Sequence, residues 1–242
     1  ITNLMWLDKS TNSRKGQNLS LTKRQIFLAL SPMIPSPSGK EVLVANPNTT
    51  WSDVDASLPN IAIEVLGPPP SSGTRDAFAE LAMEGGCKTF KWLADIKKQD
   101  KNRYKSICRS VREDGPYIEV GENDNLIVSK LNANPNALGV FGYSFLDQNS
   151  DTIQGSMVDG ALPTFENIAD GTYKVSRPLY FYVKNAHASS IPGIKQYVRE
   201  FTSKGAIGQS GYLSDKGLIP MPNSEYKEFA SAGKKLTPLM GL

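Results

Sequence analysis

Short strand patterns and helix patterns follow one another along this chain of 242 residues. Apolar and other residues alternate over Ile61–Leu66, as in a half-buried strand, whereas Ala77–Met83 carries apolar residues at helical spacing. Thr22 and Gln25 have the spacing of a capping box and predict a helix that runs through Leu30. Because strands alternate with helices, the pattern indicates an α/β protein.

The remaining elements are predicted from the same two periodicities. The predicted strands are Ile1–Leu7, Val42–Val44, Tyr117–Val120, Ala137–Phe141 and Arg177–Val183. The predicted helices are Thr74–Glu84, two pieces within Phe90–Val111, Asn125–Leu131, Phe165–Ala169, Pro192–Phe201 and Ser224–Lys235. Gly85-Gly86 is expected to end the first of these helices, and Gly142-Tyr143-Ser144 is expected to form a turn after a strand.

The segment Gly67–Phe78, with the sequence Gly-Pro-Pro-Pro-Ser-Ser-Gly-Thr-Arg-Asp-Ala-Phe, joins a predicted strand to a predicted helix. Its prolines fix backbone φ angles and remove N–H donors, and Ser71–Thr74 restores donors where the helix begins. The first N–H groups of a helix lack partners within the helix and lie at its positive end, so a small oxyanion fits there. Arg75 adds a planar, permanently charged group suited to phosphate oxygens. A serine that only caps the helix, with Arg75 solvated, explains the same residues.

The charge balance argues against nucleic acid as a partner. The chain has 27 basic and 24 acidic residues and a net charge of +3. Its one basic group, Lys97–Lys105, is interleaved with acidic residues and is typical of a solvated helix face. No window approaches the roughly 20 apolar residues of a membrane span. The chain opens at Ile1 instead of Met, so we expect a processed chain or a fragment, in which an export signal would not be visible.

Cys87 and Cys108 are the two cysteines of the chain. They have neither CxxC spacing nor a nearby histidine, which argues against a metal or redox site. In an oxidising compartment we expect them to form a disulfide, worth roughly 3 kcal/mol for a loop of this length. Two inert thiols are the alternative.

Several segments, taken together and in order, resemble the phosphate-binding proteins of bacterial phosphate ABC importers. They are distributed over nearly the whole chain: Gly67–Phe78, Gly115–Tyr117, Gly121–Asn125, Leu138–Tyr143, Ser176–Tyr180, Gly211–Leu213 and Gly217–Pro220.

The resemblance implies an α/β, two-lobed periplasmic-binding-protein-like (type II) fold. Residues 1–7 and 176–183 are then expected to be strands that cross the hinge, residues 8–175 the second lobe with the anion site, and residues 184–242 the C-terminal part of the first lobe. Members of the family carry further phosphate-binding loops before the first crossing strand, and nothing of that kind precedes Ile1. We therefore expect the first lobe to be incomplete, unless another segment completes it.

The resemblance assigns phosphate binding to Ser72, Gly73, Thr74 and Arg75. Ser-Gly-Thr at a helix N-terminus is the family's ligand segment, and some members follow it with an arginine that reaches the anion. Other members place an arginine and an aspartate before it, where this chain has prolines, so Arg75 is the one candidate cation of the motif. A surface salt bridge is the alternative role of Arg75.

Two further candidates, residues 123–125 and Tyr143, each have two interpretations. Asn123-Asp124-Asn125 can present a side chain to the cleft, although capping of a helix explains the same residues. Tyr143 can line the cleft or can pack in the core.

The implied function is the capture of inorganic phosphate in the periplasm, after removal of a signal peptide, and its delivery to an ABC permease in the membrane. We expect a monomer that has no cofactor, no bound metal and no enzymatic activity. A phosphate-sensing or interaction protein with impaired binding is the first alternative. A serine hydrolase with Ser71 or Ser72 as nucleophile is the second; the lone His187 or a lysine would be its base, and the Gly-x-Ser-x-Gly pattern is not met.

Overall fold

The computed structural model describes residues 2–8 as backbone and residues 19–238 in full. Residues 1, 9–18 and 239–242, which fall within the predicted divisions of the chain, lie outside the described residues. The strands described are β1 (Thr2–Asp8), β2 (Ser20–Leu21), β3 (Met33–Pro35), β4 (Leu43–Ala45), β5 (Val65–Gly67), β6 (Tyr117–Glu119), β7 (Leu138–Gly142), β8 (Gln154–Gly155), β9 (Met157–Val158) and β10 (Ser176–Arg177).

The α-helices described are α1 (Lys23–Leu30), α2 (Trp51–Val54), α3 (Gly73–Phe78), α4 (Glu84–Cys87), α5 (Lys91–Gln99), α6 (Lys101–Cys108), α7 (Asp124–Ala133), α8 (Tyr143–Gln148), α9 (Phe165–Ala169), α10 (Asn185–Ala188), α11 (Ile194–Phe201), α12 (Lys204–Ile207) and α13 (Asn223–Lys235). A π-helix, Ala79–Met83, joins α3 to α4 without a break, and a 3₁₀ turn covers Ser214–Lys216.

One mixed sheet organises these elements. Its strands lie in the order β10-β1-β7-β5-β6, and β8 also pairs with β1. β5 is parallel to its neighbours β7 and β6, whereas β1 is antiparallel to β7, β8 and β10. Because β5, β6 and β7 point the same way, their carboxyl ends at Gly67, Glu119 and Gly142 lie along one edge of the sheet. We call this the carboxyl edge; it carries the loops that hold the candidate site.

The core lies between the sheet and the helices packed on it. α3 and α7 both contact β7, which is buried along its whole length. The side chains of Phe27, Phe78, Trp51 and Tyr104 are fully buried and belong to one continuous apolar cluster. This core fixes the direction of α3, and therefore the position of its first turn.

Most of the predicted elements are confirmed. The Oγ1 atom of Thr22 accepts from the backbone N–H of Gln25, and the Gln25 side chain accepts from the N–H of Thr22, so the capping box begins α1 where the sequence places it. The prediction over Phe165–Ala169 matches α9 residue for residue. The strand predicted over Ile1–Leu7 is found as β1.

The strand predicted over Ile61–Leu66 is wrong in its first half. Only Val65–Gly67 joins the sheet. Ile63 instead donates its N–H to the carbonyl of Thr49, and Ala62 forms an isolated bridge to Thr50. The alternating pattern thus arises from a segment that pairs with a neighbouring loop.

The strand predicted over Arg177–Val183 is also wrong beyond its first residue. β10 ends at Arg177, which pairs with Thr2 at the first described residue of β1. Pro178 has no N–H to donate, and residues 178–183 find no neighbouring strand in the described part of the chain. The turn predicted at Gly142–Ser144 is likewise corrected, because Gly142 caps α8, which begins at Tyr143.

The prediction that Gly85-Gly86 ends the helix is wrong, because both residues lie within α4. A small residue is required at position 86 by the packing of α4 on α1. A Cβ atom on Gly86 would lie 2.0 Å from the backbone carbonyl oxygen of Lys23. The glycine therefore allows α4 to approach α1 closely.

Cys87 and Cys108 form a disulfide that joins the end of α4 to the end of α6. Both residues are fully buried. Nearby, Glu84 is also buried and forms ion pairs with Lys88, Lys97 and Arg109. The disulfide thus joins α4 to α6, and the ion pairs join α4 to α5 and to the residue that follows α6.

The segment after β10 and α11 carry several large apolar side chains that are exposed. Leu179, Tyr180, Tyr182 and Tyr197 are between 52% and 71% exposed, and we call these four residues the aromatic surface. A cavity of about 430 Å³ lies beside it, between residues 181–184 and α11. The chain then returns to the main core through Ile219, which is buried. None of the described helices combines the length and the apolar character that crossing a membrane requires.

Candidate anion-binding site

The loop after β5 brings a capped helix start to the carboxyl edge of the sheet. The N–H of Ser72 donates to the carbonyl of Pro69 at 3.0 Å, which closes a turn within the proline run. Ser72 has an extended backbone, and its Oγ accepts from the N–H of Thr74 at 3.2 Å, so it is the N-cap of α3. Its neighbours Gly73 and Thr74 form the first turn. The predicted ligand segment thus stands at a helix N-terminus.

The helix behind this first turn is long enough to contribute a dipole. α3 continues through the π-helix into α4 and ends at Cys87. The backbone N–H groups of its first turn have no partners inside the helix and lie at the positive end of the dipole. Donors and dipole together favour a small anion at this position.

Arg75 is buried in the structure, with 6% of its surface exposed. Its guanidinium lies 3.9 Å from the centre of the Tyr117 ring, and its Nη1 is 3.4 Å from the carbonyl oxygen of Pro68. The Tyr117 hydroxyl donates to the same carbonyl at 2.9 Å. Tyr117 reaches it by crossing Gly67, where a Cβ atom would lie 2.1 Å from the hydroxyl.

These contacts place Arg75 on the β6 side of the proline loop. Burial raises the pKa of the Tyr117 hydroxyl, and the positive charge of Arg75 opposes that rise. Among the described residues Arg75 has no ion-pair partner, so the structure does not give it the surface salt bridge that was its alternative role.

Arg177 is the guanidinium that the structure places on the first turn of α3. Its Nη2 donates a hydrogen bond of 3.0 Å to the carbonyl oxygen of Gly73. From the sequence, Arg177 was predicted only to belong to a strand that crosses the hinge. No local motif connects it with Gly73, because the two residues are 104 positions apart in the chain.

One segment with two acidic residues, Glu122–Asp124, borders the site at the same edge. Ser71 donates its hydroxyl to Glu122 at 2.6 Å, which ties the proline loop to the loop before α7. Asn123 caps α7 by accepting from the N–H of Asn125, so the capping interpretation holds for this residue. Asp124 accepts weakly from the N–H of Gly142, at 3.4 Å, and burial raises the pKa of its carboxyl.

The two remaining candidates, Tyr143 and His187, do not contact the first turn of α3 among the described contacts. Tyr143 is 9% exposed and belongs to the apolar core, where burial raises the pKa of its hydroxyl. His187 is exposed on α10 and borders the cavity near the aromatic surface. The hydroxyl of Ser71 bonds to Glu122, and that of Ser72 caps the helix, so neither serine is paired with the histidine in the described structure.

Comparison with known families decides where this fold belongs. The family model described as a PBP superfamily domain matches residues 9–204. The chain belongs to the PBP superfamily. The predicted periplasmic-binding-protein-like α/β fold is thereby confirmed, and the matched range includes the proline loop, α3 and Arg177.

Curated proteins resemble the chain at modest identity. The phosphate-binding protein PstS of Staphylococcus saprophyticus is 28% identical over 198 residues, which are 79% of this chain and 51% of that protein. PstS of Staphylococcus haemolyticus is 29% identical over 184 residues, 74% of this chain and 48% of that protein. The chain spans about half the length of these relatives.

Solved structures of the PBP superfamily share the fold. A crystal structure described as a possible phosphate binding protein from Planctomyces limnophilus has a TM-score of 0.62 at 19% identity, and the match covers 98% of this chain and 70% of that chain. An ABC-type phosphate transport receptor from Vibrio cholerae has a TM-score of 0.54 at 19% identity, and the match covers 91% of this chain and 70% of that chain. The unmatched part of these chains fits the predicted incomplete lobe.

Proposed function

We propose that this chain binds inorganic phosphate at the first turn of α3 and serves as part of an extracytoplasmic receptor for a phosphate ABC permease. The observation that carries the proposal is the placement of Ser72, Gly73 and Thr74 at a capped helix start on the carboxyl edge of the sheet. The relatives named phosphate-binding protein PstS support the choice of phosphate. The Vibrio cholerae receptor supports an ABC permease as the partner.

Phosphate binding in this proposal depends on backbone N–H groups, the Thr74 hydroxyl and arginine side chains. These groups only donate hydrogen bonds or carry positive charge, apart from the hydroxyl, so an oxyanion is the ligand they suit. Arg75 supplies a buried positive charge beside the loop. Burial strengthens its electrostatic effect because the surrounding dielectric constant is lower than that of water.

We propose a binding protein and not an enzyme. The second alternative, a serine hydrolase, needs a general base within hydrogen-bond reach of its nucleophile. Ser71 instead donates to a carboxylate of the next loop, and His187 borders a different cavity. The sensing role with impaired binding remains the alternative that phosphate titration decides.

The second part of the proposal concerns the hinge and the aromatic surface. We propose that the hinge lies near β1 and β10, and that polypeptide corresponding to the unmatched part of the relatives covers Leu179, Tyr180, Tyr182 and Tyr197. Apolar patches of this kind on soluble proteins mark interaction surfaces. The covering lobe would also close over the phosphate and exclude water, which strengthens hydrogen bonds to the anion.

The substitution Ser72→Ala tests the site. We expect about a tenfold weaker phosphate affinity, because the variant loses the hydroxyl that caps the first turn and holds its N–H groups in place. The measurement is a calorimetric titration with phosphate of the wild-type and variant chains, with the folding of each checked by circular dichroism.

Ser203→Ala is the matched control. Ser203 is also a serine N-cap, accepts from the N–H of Ala206 at 3.1 Å and lies at α12, away from the carboxyl edge. We expect it to lose a similar amount of stability, about 1 kcal/mol, with unchanged phosphate affinity. Equal phosphate affinity in Ser72→Ala and wild type would contradict the proposed site.

A further inference from the structure

We propose that Arg177 is a second, direct anion-binding residue of the phosphate site. The inference rests on the proposed function and adds a residue that comes from the sheet, not from the proline loop. It would give the ligand an exposed guanidinium at the first turn, in addition to the buried guanidinium of Arg75.

The geometry brings Arg177 into contact with the first turn of α3. β10 pairs with β1 in the register Thr2 to Arg177 and Asn3 to Ser176, which fixes the backbone of the arginine. From there its Nη2 reaches the carbonyl of Gly73 at 3.0 Å. Gly73 is the first residue of α3, so the guanidinium lies beside the first turn, on the side of the Gly73 carbonyl.

One hydrogen bond leaves most of this guanidinium available. An arginine side chain has five N–H donors in a planar fork, which matches two oxygens of a phosphate. Arg177 is exposed, and within the described residues it has no carboxylate partner. The remaining donors can therefore reach a ligand without breaking an ion pair.

The local electrostatics also favour an anion between these groups. Arg177 lies at the positive end of a helix, an unfavourable place for a cation on its own. Arg75 adds a second guanidinium that is more than nine-tenths buried and has no ion pair in the described chain. A bound dianion would offset the positive charge of the two guanidiniums, whereas the carboxylates of Glu122 and Asp76 oppose it.

Three substitutions distinguish direct binding from a purely structural role. Arg177→Ala removes both the charge and the bond to Gly73. Arg177→Gln keeps an amide donor for the Gly73 carbonyl and removes the charge. Arg177→Lys keeps the charge and loses the fork. Each is titrated with inorganic phosphate by calorimetry, after thermal melting has shown that it folds.

Lys174→Ala is the matched control. Lys174 is an exposed cation three residues earlier in the chain, and its Nζ donates to the carbonyl of Gly171 at 2.7 Å. It thus has the same type of bond to a glycine carbonyl, away from α3. We expect its phosphate affinity to equal that of the wild type.

We expect Arg177→Ala and Arg177→Gln to weaken phosphate binding at least tenfold, and Arg177→Lys to be intermediate. Wild-type affinity in Arg177→Gln would show that Arg177 only positions the Gly73 carbonyl, and would overturn the inference. Wild-type affinity in Arg177→Ala would overturn it as well. Absence of phosphate binding by the wild-type chain would overturn the proposed function, and this inference with it. If Arg177→Ala does not fold, the glutamine and lysine variants carry the test.

Discussion

Arg177 donates a hydrogen bond of 3.0 Å to the backbone carbonyl of Gly73, although 104 positions separate the two residues in the chain. The bond joins the end of β10 to the first turn of α3. A strand that also pairs with β1 is therefore in direct contact with the candidate ligand segment. Any movement of β10 relative to the sheet would therefore also move the first turn of α3, where the proposed phosphate site lies.

Arg75→Ala should weaken phosphate binding by roughly 1.5–3 kcal/mol, because a charge-assisted hydrogen bond is lost. It should also lower the free energy of unfolding by about 1 kcal/mol, since the stacking on Tyr117 is lost. Calorimetric titration and urea unfolding measure the two effects separately. Arg103→Ala, on an exposed position of α6, is the control for the loss of one arginine. Unchanged affinity in the folded Arg75→Ala chain would remove Arg75 from the site.

Gly86→Ala should destabilise the fold, whereas Gly85→Ala should not. The new Cβ at position 86 would meet the backbone of Lys23, which cannot move aside, and we expect a loss of about 3 kcal/mol. At position 85 the nearest atom belongs to the flexible side chain of Lys23, at 2.8 Å, and alanine favours the helix. Urea unfolding of the pair makes the comparison. Equal stability of the two variants would contradict the packing of α4 on α1.

Reduction of the disulfide between Cys87 and Cys108 should lower the free energy of unfolding by about 3 kcal/mol. The bond closes a loop with a sequence separation of 21, and its loss allows the unfolded chain more conformations. Urea unfolding with and without a reductant gives the difference. A thiol assay on the unfolded, unreduced chain that detects two free cysteines would contradict the bond.

Glu84→Gln should destabilise the protein at neutral pH and have little effect in strong acid. Burial opposes ionisation of Glu84, but hydrogen bonds from Lys88, Lys97 and Arg109 outweigh it and lower the pKa of the carboxyl from 4.5 to about 2. Because the folded-state pKa is the lower one, the ionised carboxylate stabilises the fold by about 2–3 kcal/mol above pH ~5. That contribution is lost as the pH falls towards 2.

Urea unfolding of wild type and Glu84→Gln at several pH values measures this dependence. We expect the difference in unfolding free energy to shrink steadily below pH ~5. Glu225→Gln, on the exposed side of α13, controls for the loss of one acidic charge. A difference between wild type and Glu84→Gln that stays constant with pH would contradict the role assigned to the ion-pair cluster.

The sequence predicted the secondary structure well where residues close together in the chain hydrogen-bond to one another. The capping box of Thr22 and Gln25 and the helix at Phe165–Ala169 are set by residues next to each other in sequence. Ser72 at the start of α3 could be predicted for the same reason. Predicted element boundaries were wrong where a distant partner decides the conformation. Gly86 packs on Lys23, and residues 178–183 have no neighbouring strand among the residues that the structure describes.

The same distinction separates the two arginines of the site. Arg75 follows the Ser-Gly-Thr segment directly and could be singled out from the sequence, although its stacking on Tyr117 could not. Arg177 approaches Gly73 only because β10 pairs with β1, and β1 lies beside β7 in the sheet. Sheet order across a whole domain is not contained in any local pattern.

Calorimetric titration with phosphate, with sulfate as the control, tests the central claim most directly. It should be made on this chain and on a longer protein that extends upstream of residue 1. We expect saturable, phosphate-selective binding, weaker in this chain than in the longer protein, because the aromatic surface and the anion site then gain their covering lobe. Absence of saturable phosphate binding by both proteins would contradict the phosphate-receptor function.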